Sequence, residues 1–268
     1  MSEISAKQVM MLRNKTGLSM MECKKALVEV NGDIDAAEDL LKKKLKGKMD
    51  TRTDRAAGEG CIAIAVNGDQ AAIIELRAET DFTAKNDTFV NAAQKLAEAA
   101  LAKGNGAVEA DDSMKSSIDE LRISTGENIS LARALKRSGG SFGTYIHHDR
   151  KTGVLLNFTG DVSDEVARDI CMHITAAVPR PAGVSRDDVP DSVIEKERRL
   201  AIEMAKESGK NQEIAEKMVE GKINKLYSEL ALLEQIFVKD GATKISDLLP
   251  AGATVKSFDR WQVGEATD

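Results

Sequence analysis

A change of hydrophobic period, made twice, constrains this chain most. From Glu59 the apolar residues follow a period of two, with Ile62, Ile64 and Val66 alternating with Cys61, Ala63 and Ala65, which is the side-chain repeat of a strand. Asn67-Gly68-Asp69 is a hairpin turn signal, and residues 71–78 return as the second strand. A polar corner follows, Thr80-Asp81-Phe82-Thr83-Ala84-Lys85-Asn86. The period then becomes helical, with Phe89, Ala92, Ala93, Leu96 and Ala100 on one face. Gly104-Asn105-Gly106 ends that helix, a further helix covers residues 113–124, and Ile129, Leu131, Ala132 and Leu135 fit a third strand.

From Gly139-Gly140 the plan begins again, with a strand over 142–146, a turn over 147–151 and a strand over 153–158. A helix follows with Val166, Ile170, Ile174 and Val178 on one face, and residues 254–263 supply a closing strand. Gly160-Asp161-Val162 stands where Thr80-Asp81-Phe82 stands in the first copy, so an internal duplication is inferred. Between the second helix and its closing strand, Pro179, Pro181 and Pro190 interrupt the pattern. Two helices, 192–207 and 212–227, are joined by Ser208-Gly209-Lys210-Asn211, with Ile214, Met218, Leu226, Leu230 and Leu233 as an apolar seam. So short a joint makes them an antiparallel hairpin.

The first 46 residues read as three short helices. Gly17 suits a C-terminal cap. Ser19 suits an N-cap for a helix carrying Met20, Met21, Ala26, Leu27 and Val30. Asn31-Gly32-Asp33 makes a turn, and Asp33 caps a third helix through Ala36, Ala37, Leu40 and Leu41. The expected fold class is therefore α+β. A three-helix module (1–46) and a basic linker (47–58) precede two small antiparallel-sheet and helix subdomains (59–139 and 140–268), the second carrying the helical hairpin at about 184–238.

Charge and chemistry narrow the function. The 268 residues carry a net charge of −6, which argues against a broad nucleic-acid-binding face. Residues 42–55 are rich in Lys and Arg, but no aromatics interleave to stack on bases, so a solvated linker is favoured over an RNA contact. No apolar run reaches membrane-spanning length and no signal-peptide pattern stands at the N-terminus. Cys23, Cys61 and Cys171 are scattered, which reads as free thiols in packed positions and a reducing cytoplasm. Gly209-Lys210 lacks the upstream glycine of a phosphate loop, and no GxGxxG follows a strand. His147, His148 and His173 lack zinc spacing. His173, beside Ile170 and Ile174, reads as a structural residue, and His147 at a turn as the better contact candidate. No cofactor, no resident metal and no covalent chemistry are expected. A binding protein is the natural reading, with a non-catalytic adaptor or chaperone as one form of it.

Aromatics make up 3% of the chain, so Phe82 at a polar corner asks for a reason. Residue types alone favour a ring tucked under its own helix as a staple-like contact.

Several stretches carry a resemblance. Thr16-Gly17, Met20-Met21, Cys23-Lys24-Lys25-Ala26-Leu27, Asn31-Gly32-Asp33, the 80–86 corner, Gly126-Glu127-Asn128-Ile129, Met172-His173-Ile174 and Ile214-Ala215-Glu216-Lys217-Met218-Val219-Glu220-Gly221 resemble the elongation factor Ts family of bacterial translation, in order and spacing over nearly the whole chain. The family usually has Val where Thr83 stands and commonly Ile where Thr125 stands. The resemblance implies a UBA-like N-terminal module and guanine-nucleotide exchange on elongation factor Tu, which itself holds the GDP and magnesium. It implies that Thr80, Asp81, Phe82 and Thr83 enter the partner's nucleotide-binding domain beside its magnesium site. It further implies partner contacts at Leu12, Met20, Met21, Lys24, Thr125, Gly126 and His147.

Overall fold

The computed structural model describes residues 4–50, 53–207 and 212–266. Its contacts divide the chain into two compact units. One holds the residues up to Ala63, Ile73–Leu135 and those from Val263 on; the other holds Ile64–Ala72 and Lys136–Gln262.

Three helices open the first unit: α1 (Ala6–Thr16), α2 (Met20–Glu29) and α3 (Ile34–Asp50). Local chemistry sets their ends. Ser5 and Ser19 form capping boxes with Gln8 and Glu22. Gly17 closes α1 in the left-handed conformation at φ 68°, and Asp33 accepts from the Ala36 N–H at 3.0 Å. Val9, Leu12, Leu18, Cys23, Ala26, Leu27, Ala37 and Leu41 form the core of these helices. Met20 and Met21, among the residues α2 carries, lie outside its buried stripe, which Cys23, Ala26 and Leu27 complete. Helix α3 runs on to Asp50 and so takes in part of the basic stretch expected as a linker, whose residues 51–52 lie outside the described residues.

The remainder of the chain alternates sheet and helix. Strands β1 (Glu59–Asn67) and β2 (Gln70–Ala78) form the expected hairpin. A single helical turn, α4 (Asp81–Ala84), leads to α5 (Asp87–Leu101), the short β3 (Gly106–Ala107), α6 (Asp112–Thr125) and β4 (Ser130–Ser138). Strand order is β1-β2-β4-β3. Phe89, Ala93, Leu96, Ala97 and Ala100 are the buried positions of α5, at helical spacing.

The plan recurs with β5 (Ser141–Ile146), β6 (Thr152–Thr159), α7 (Asp164–Ala176) and, much later, β7 (Thr254–Gln262). Here the sheet is antiparallel in the order β5-β6-β7. In both sheets the closing strand therefore lies beside the second strand of the hairpin. Val154, Leu156 and Phe158 of β6 alternate onto a core with Ala167, Ile170, Cys171 and Ile174 of α7. A Cβ on Gly143 would come within 2.9 Å of the Ala167 Cβ, so glycine there lets α7 lie close on the sheet.

Val178 departs from the expected face of α7. The helix stops at Ala176, and Val178 is 94% exposed beside Pro179, which cannot continue a helix. The inserted pair is α8 (Asp191–Glu207) and α9 (Gln212–Leu230); the joint Ser208-Gly209-Lys210-Asn211 lies outside the described residues. The expected seam is met at Leu226 and Leu230, which pack against this hairpin's core, and departs from expectation elsewhere. Ile223 is the buried residue of α9, packed with Val189 and Ile194, whereas Ile214 is exposed. A short turn, α10 (Ile245–Leu248), precedes β7.

Candidate functional site

The corner after β2 is built by two caps placed close together. Thr80 is extended (φ −124°, ψ 153°), and its hydroxyl accepts from the Thr83 N–H at 3.3 Å, starting α4. Asn86 then caps α5, its side-chain oxygen accepting from the Thr88 N–H at 2.8 Å. One isolated turn is thus held between strand and helix. Ala84 faces the interior, and Phe82 is 85% exposed. The staple-like contact that residue types favour is therefore overturned: the ring projects into solvent. Asp81 pairs with Lys85 across the turn at 2.7 Å, which raises the lysine's affinity for its proton.

A distant carboxylate holds this turn in place. Helix α6 ends at Gly126, whose φ of 73° is left-handed and whose N–H donates to the Arg122 carbonyl. The reversal presents Glu127 to the corner. Its Oε1 accepts from the hydroxyls of Thr80 and Thr83, both at 2.7 Å. Its Oε2 accepts from the N–H groups of Glu79 and Thr80, both at 3.1 Å. Partial burial works to raise the pKa of Glu127, but the hydrogen bonds from Thr80, Thr83 and the two backbone amides outweigh it and hold the carboxyl below its usual range. Glu79 returns the contact by accepting from the Asn128 N–H at 2.7 Å, and the buried Asn128 side chain donates to the carbonyls of Thr53 and Arg55. Corner, helix end and the chain preceding β1 form one hydrogen-bonded body.

Thr80, Asp81, Phe82 and Thr83 thus stand together, with Thr125 and Gly126 joined to them through Glu127. Thr125 is exposed; its hydroxyl donates to the Leu121 carbonyl at 2.7 Å and accepts from the Glu127 N–H at 3.3 Å. Met20 (42%), Met21 (63%) and Lys24 are exposed on α2, and Met10 and Met11 are exposed on α1. Leu12 is fully buried in one cluster with Val9, Leu27 and Leu41. His147, in the second unit, is half-buried; its Nδ1 lies 3.1 Å from the Tyr145 hydroxyl, and its ring centroid 4.3 Å from that of His148.

Glu127 is the residue the sequence reading passed over. Its signal was only that it follows the left-handed Gly126 in a quoted motif.

All three cysteines are buried thiols outside any disulfide, and burial pushes the Cys171 thiol up to about 12, far from a nucleophile's range. His173 is buried; its Nδ1 accepts from the Val238 N–H at 3.3 Å, so its Nε2 carries the proton donated to Gln235 at 2.9 Å. Among the described residues no group of three His, Cys, Asp or Glu side chains is arranged to hold a metal ion, and no helix is long and apolar enough to cross a membrane.

The fold and site define a class: a modular α+β chain that presents an exposed aromatic on a braced turn. Comparison with known proteins gives the family. The family model "Elongation factor TS" matches residues 79–265. Elongation factor Ts of Hahella chejuensis is 42% identical over 275 residues, covering 100% of this chain and 94% of the relative. That of Alkalilimnicola ehrlichii is 41% identical, covering 99% and 94%, and that of Legionella pneumophila strain Paris 42%, covering 100% and 94%. The chain belongs to the elongation factor Ts family.

Proposed function

We propose that this chain is a guanine-nucleotide exchange factor for elongation factor Tu, acting in the cytoplasm without covalent chemistry of its own. Its Asp81-Phe82 corner enters the partner beside the magnesium and phosphates of bound GDP. The observation that supports this most is the 85% exposure of Phe82 on a turn fixed by two caps and a carboxylate. A ring left in water contributes no burial energy to its own fold, whereas burying it in a partner contributes about 1.5–3 kcal/mol.

Such a factor need not touch GDP. It needs only to bind the GTPase better when the cradle of backbone N–H groups and magnesium around the phosphates is distorted, because differential affinity alone shifts an equilibrium. Tenfold weaker nucleotide binding corresponds to about 1.4 kcal/mol of coupling. One wedge can supply that much, and larger effects draw on a wider interface. In this reading Met20, Met21 and Lys24 of the N-terminal module dock on the nucleotide-binding domain, Thr125 and Gly126 line the approach to the corner, and His147 contacts the partner from the second unit.

Linkage makes the reading testable. Nucleotide must weaken the chain's grip by the factor by which the chain weakens the grip on nucleotide. The chain is expected to co-purify with nucleotide-free elongation factor Tu and to dissociate when excess GDP is added. A complex that survives excess GDP unchanged would instead mark a non-catalytic adaptor.

A further inference from the structure

Glu127 is not among the residues proposed to touch the partner, yet its carboxylate accepts four hydrogen bonds at the corner. We infer that Glu127 is a positioning residue for the exchange reaction: by clamping Thr80 and Thr83 it fixes the direction in which Phe82 projects. This rests on the insertion of Phe82 proposed above and adds the group that makes the insertion effective.

The chemistry favours a carboxylate at this place. The corner offers four donors to one side chain: the N–H groups of Glu79 and Thr80 on one oxygen, and the hydroxyls of Thr80 and Thr83 on the other. An ionised carboxylate is the side chain that accepts at both oxygens and donates nothing. Thr80 and Thr83 bracket Phe82, so the clamp seizes the turn on both sides of the ring while leaving the ring free. Glu127 is itself fixed by the left-handed Gly126 before it and by the Asn128 N–H bond to Glu79 after it. An isolated helical turn has little stability of its own, since nucleation orders several residues for one hydrogen bond. Without the clamp, α4 retains its own backbone bonds, from Ala84 to Thr80 and from Lys85 to Asp81, with the Thr80 cap and the Asp81–Lys85 pair. A wedge that samples many directions spends binding energy on its own ordering.

The test is a fluorescent-GDP chase from elongation factor Tu across a titration of Glu127→Ala, Phe82→Ala and the double variant. Glu127→Ala is expected to lower the saturating release rate about tenfold, equivalent to 1.4 kcal/mol, and to change the half-saturating concentration less than threefold, because the wider interface is intact. The double variant is expected to be no slower than Phe82→Ala alone, as one residue acts through the other. Glu127→Gln is expected to recover most of the rate, since its oxygen can face the two amides while its NH₂ donates to the rotatable Thr hydroxyls. Should Glu127→Ala fail to fold, Glu127→Asp carries the test: it keeps the charge but withdraws it by one methylene, and a comparable loss is expected. Wild-type rates for the folded Ala variant, or for Asp in its place, overturn the positioning role while a slow Phe82→Ala leaves the insertion standing. Additive losses in the double variant also overturn it. Wild-type rates for Phe82→Ala remove the insertion itself, and this inference with it.

Discussion

The two copies of the hairpin–corner–helix plan differ most at their corners. In the first copy, residues 79–86 connect β2 to α5 and include the extra turn α4, from which Phe82 points into solvent. In the second, residues 160–163 suffice between β6 and α7. Gly160 turns the chain at φ 93°, and a Cβ there would meet the Ala253 Cα at 2.6 Å. Ser163 caps α7 directly, and Val162, at the place of Phe82, packs against the core of its own unit. One scaffold thus carries two outcomes. A tight glycine corner directs its apolar residue inward, where it stabilises the fold. A longer, doubly capped corner directs it outward, where it is available to another molecule. The longer corner needs outside support, and Glu127 supplies it.

This contrast can be broken by exchanging what each corner loses. Phe82→Ala should produce the largest effect: stimulated GDP release from elongation factor Tu slower by tenfold or more, with a thermal midpoint matching wild type, since an exposed ring contributes little to stability. Val162→Ala should do the reverse. Losing two partly buried methyl groups should lower unfolding stability by about 1 kcal/mol, read by urea titration, with exchange within about twofold of wild type. Equal stability losses at the two corners would dissolve the distinction.

pH sharpens it further. His173, in the second unit, has its pKa lowered by burial, against a partly offsetting hydrogen bond that it donates to Gln235. The unfolded chain therefore takes up that proton first. The stability from keeping His173 neutral is complete above the ordinary value of 6.5 and is lost as pH falls toward the folded value. Urea midpoints should decline from about pH 6.5 downward, and His173→Gln should flatten that decline. Glu127 responds lower. Its carboxyl is held below the ordinary 4.5, so the clamp's contribution is complete above that value and is lost as pH falls through the folded pKa. Hydrogen exchange at the amides of Glu79 and Thr80 should accelerate below that value, while amides 160–162 show no matching step. This is the smallest and most local of the expected effects.

What the sequence disclosed followed the range of the interaction. Gly17, Ser19 and Asp33 were readable as caps because capping involves residues two to four apart. The duplicated hairpins were readable because the strand period is local. The burial of Ile223 in place of Ile214 along α9 is not, because it depends on which residues of α8 and of the segment before it lie opposite. The helical spacing puts Val178 on a face that Pro179 cuts short. At the candidate site, the Asp-Phe corner is legible as a motif, but the outward direction of Phe82 is not, and residue types favour the tucked ring. That direction follows from bonds between Glu127 and residues more than forty positions earlier, a separation at which neither propensity nor periodicity carries information.

The most direct measurement is a single-turnover chase of labelled GDP from elongation factor Tu, run side by side with saturating wild type, Phe82→Ala and Val162→Ala. The account requires Phe82→Ala to lose most of the stimulation while Val162→Ala retains it. Full stimulation by a folded Phe82→Ala chain would contradict it.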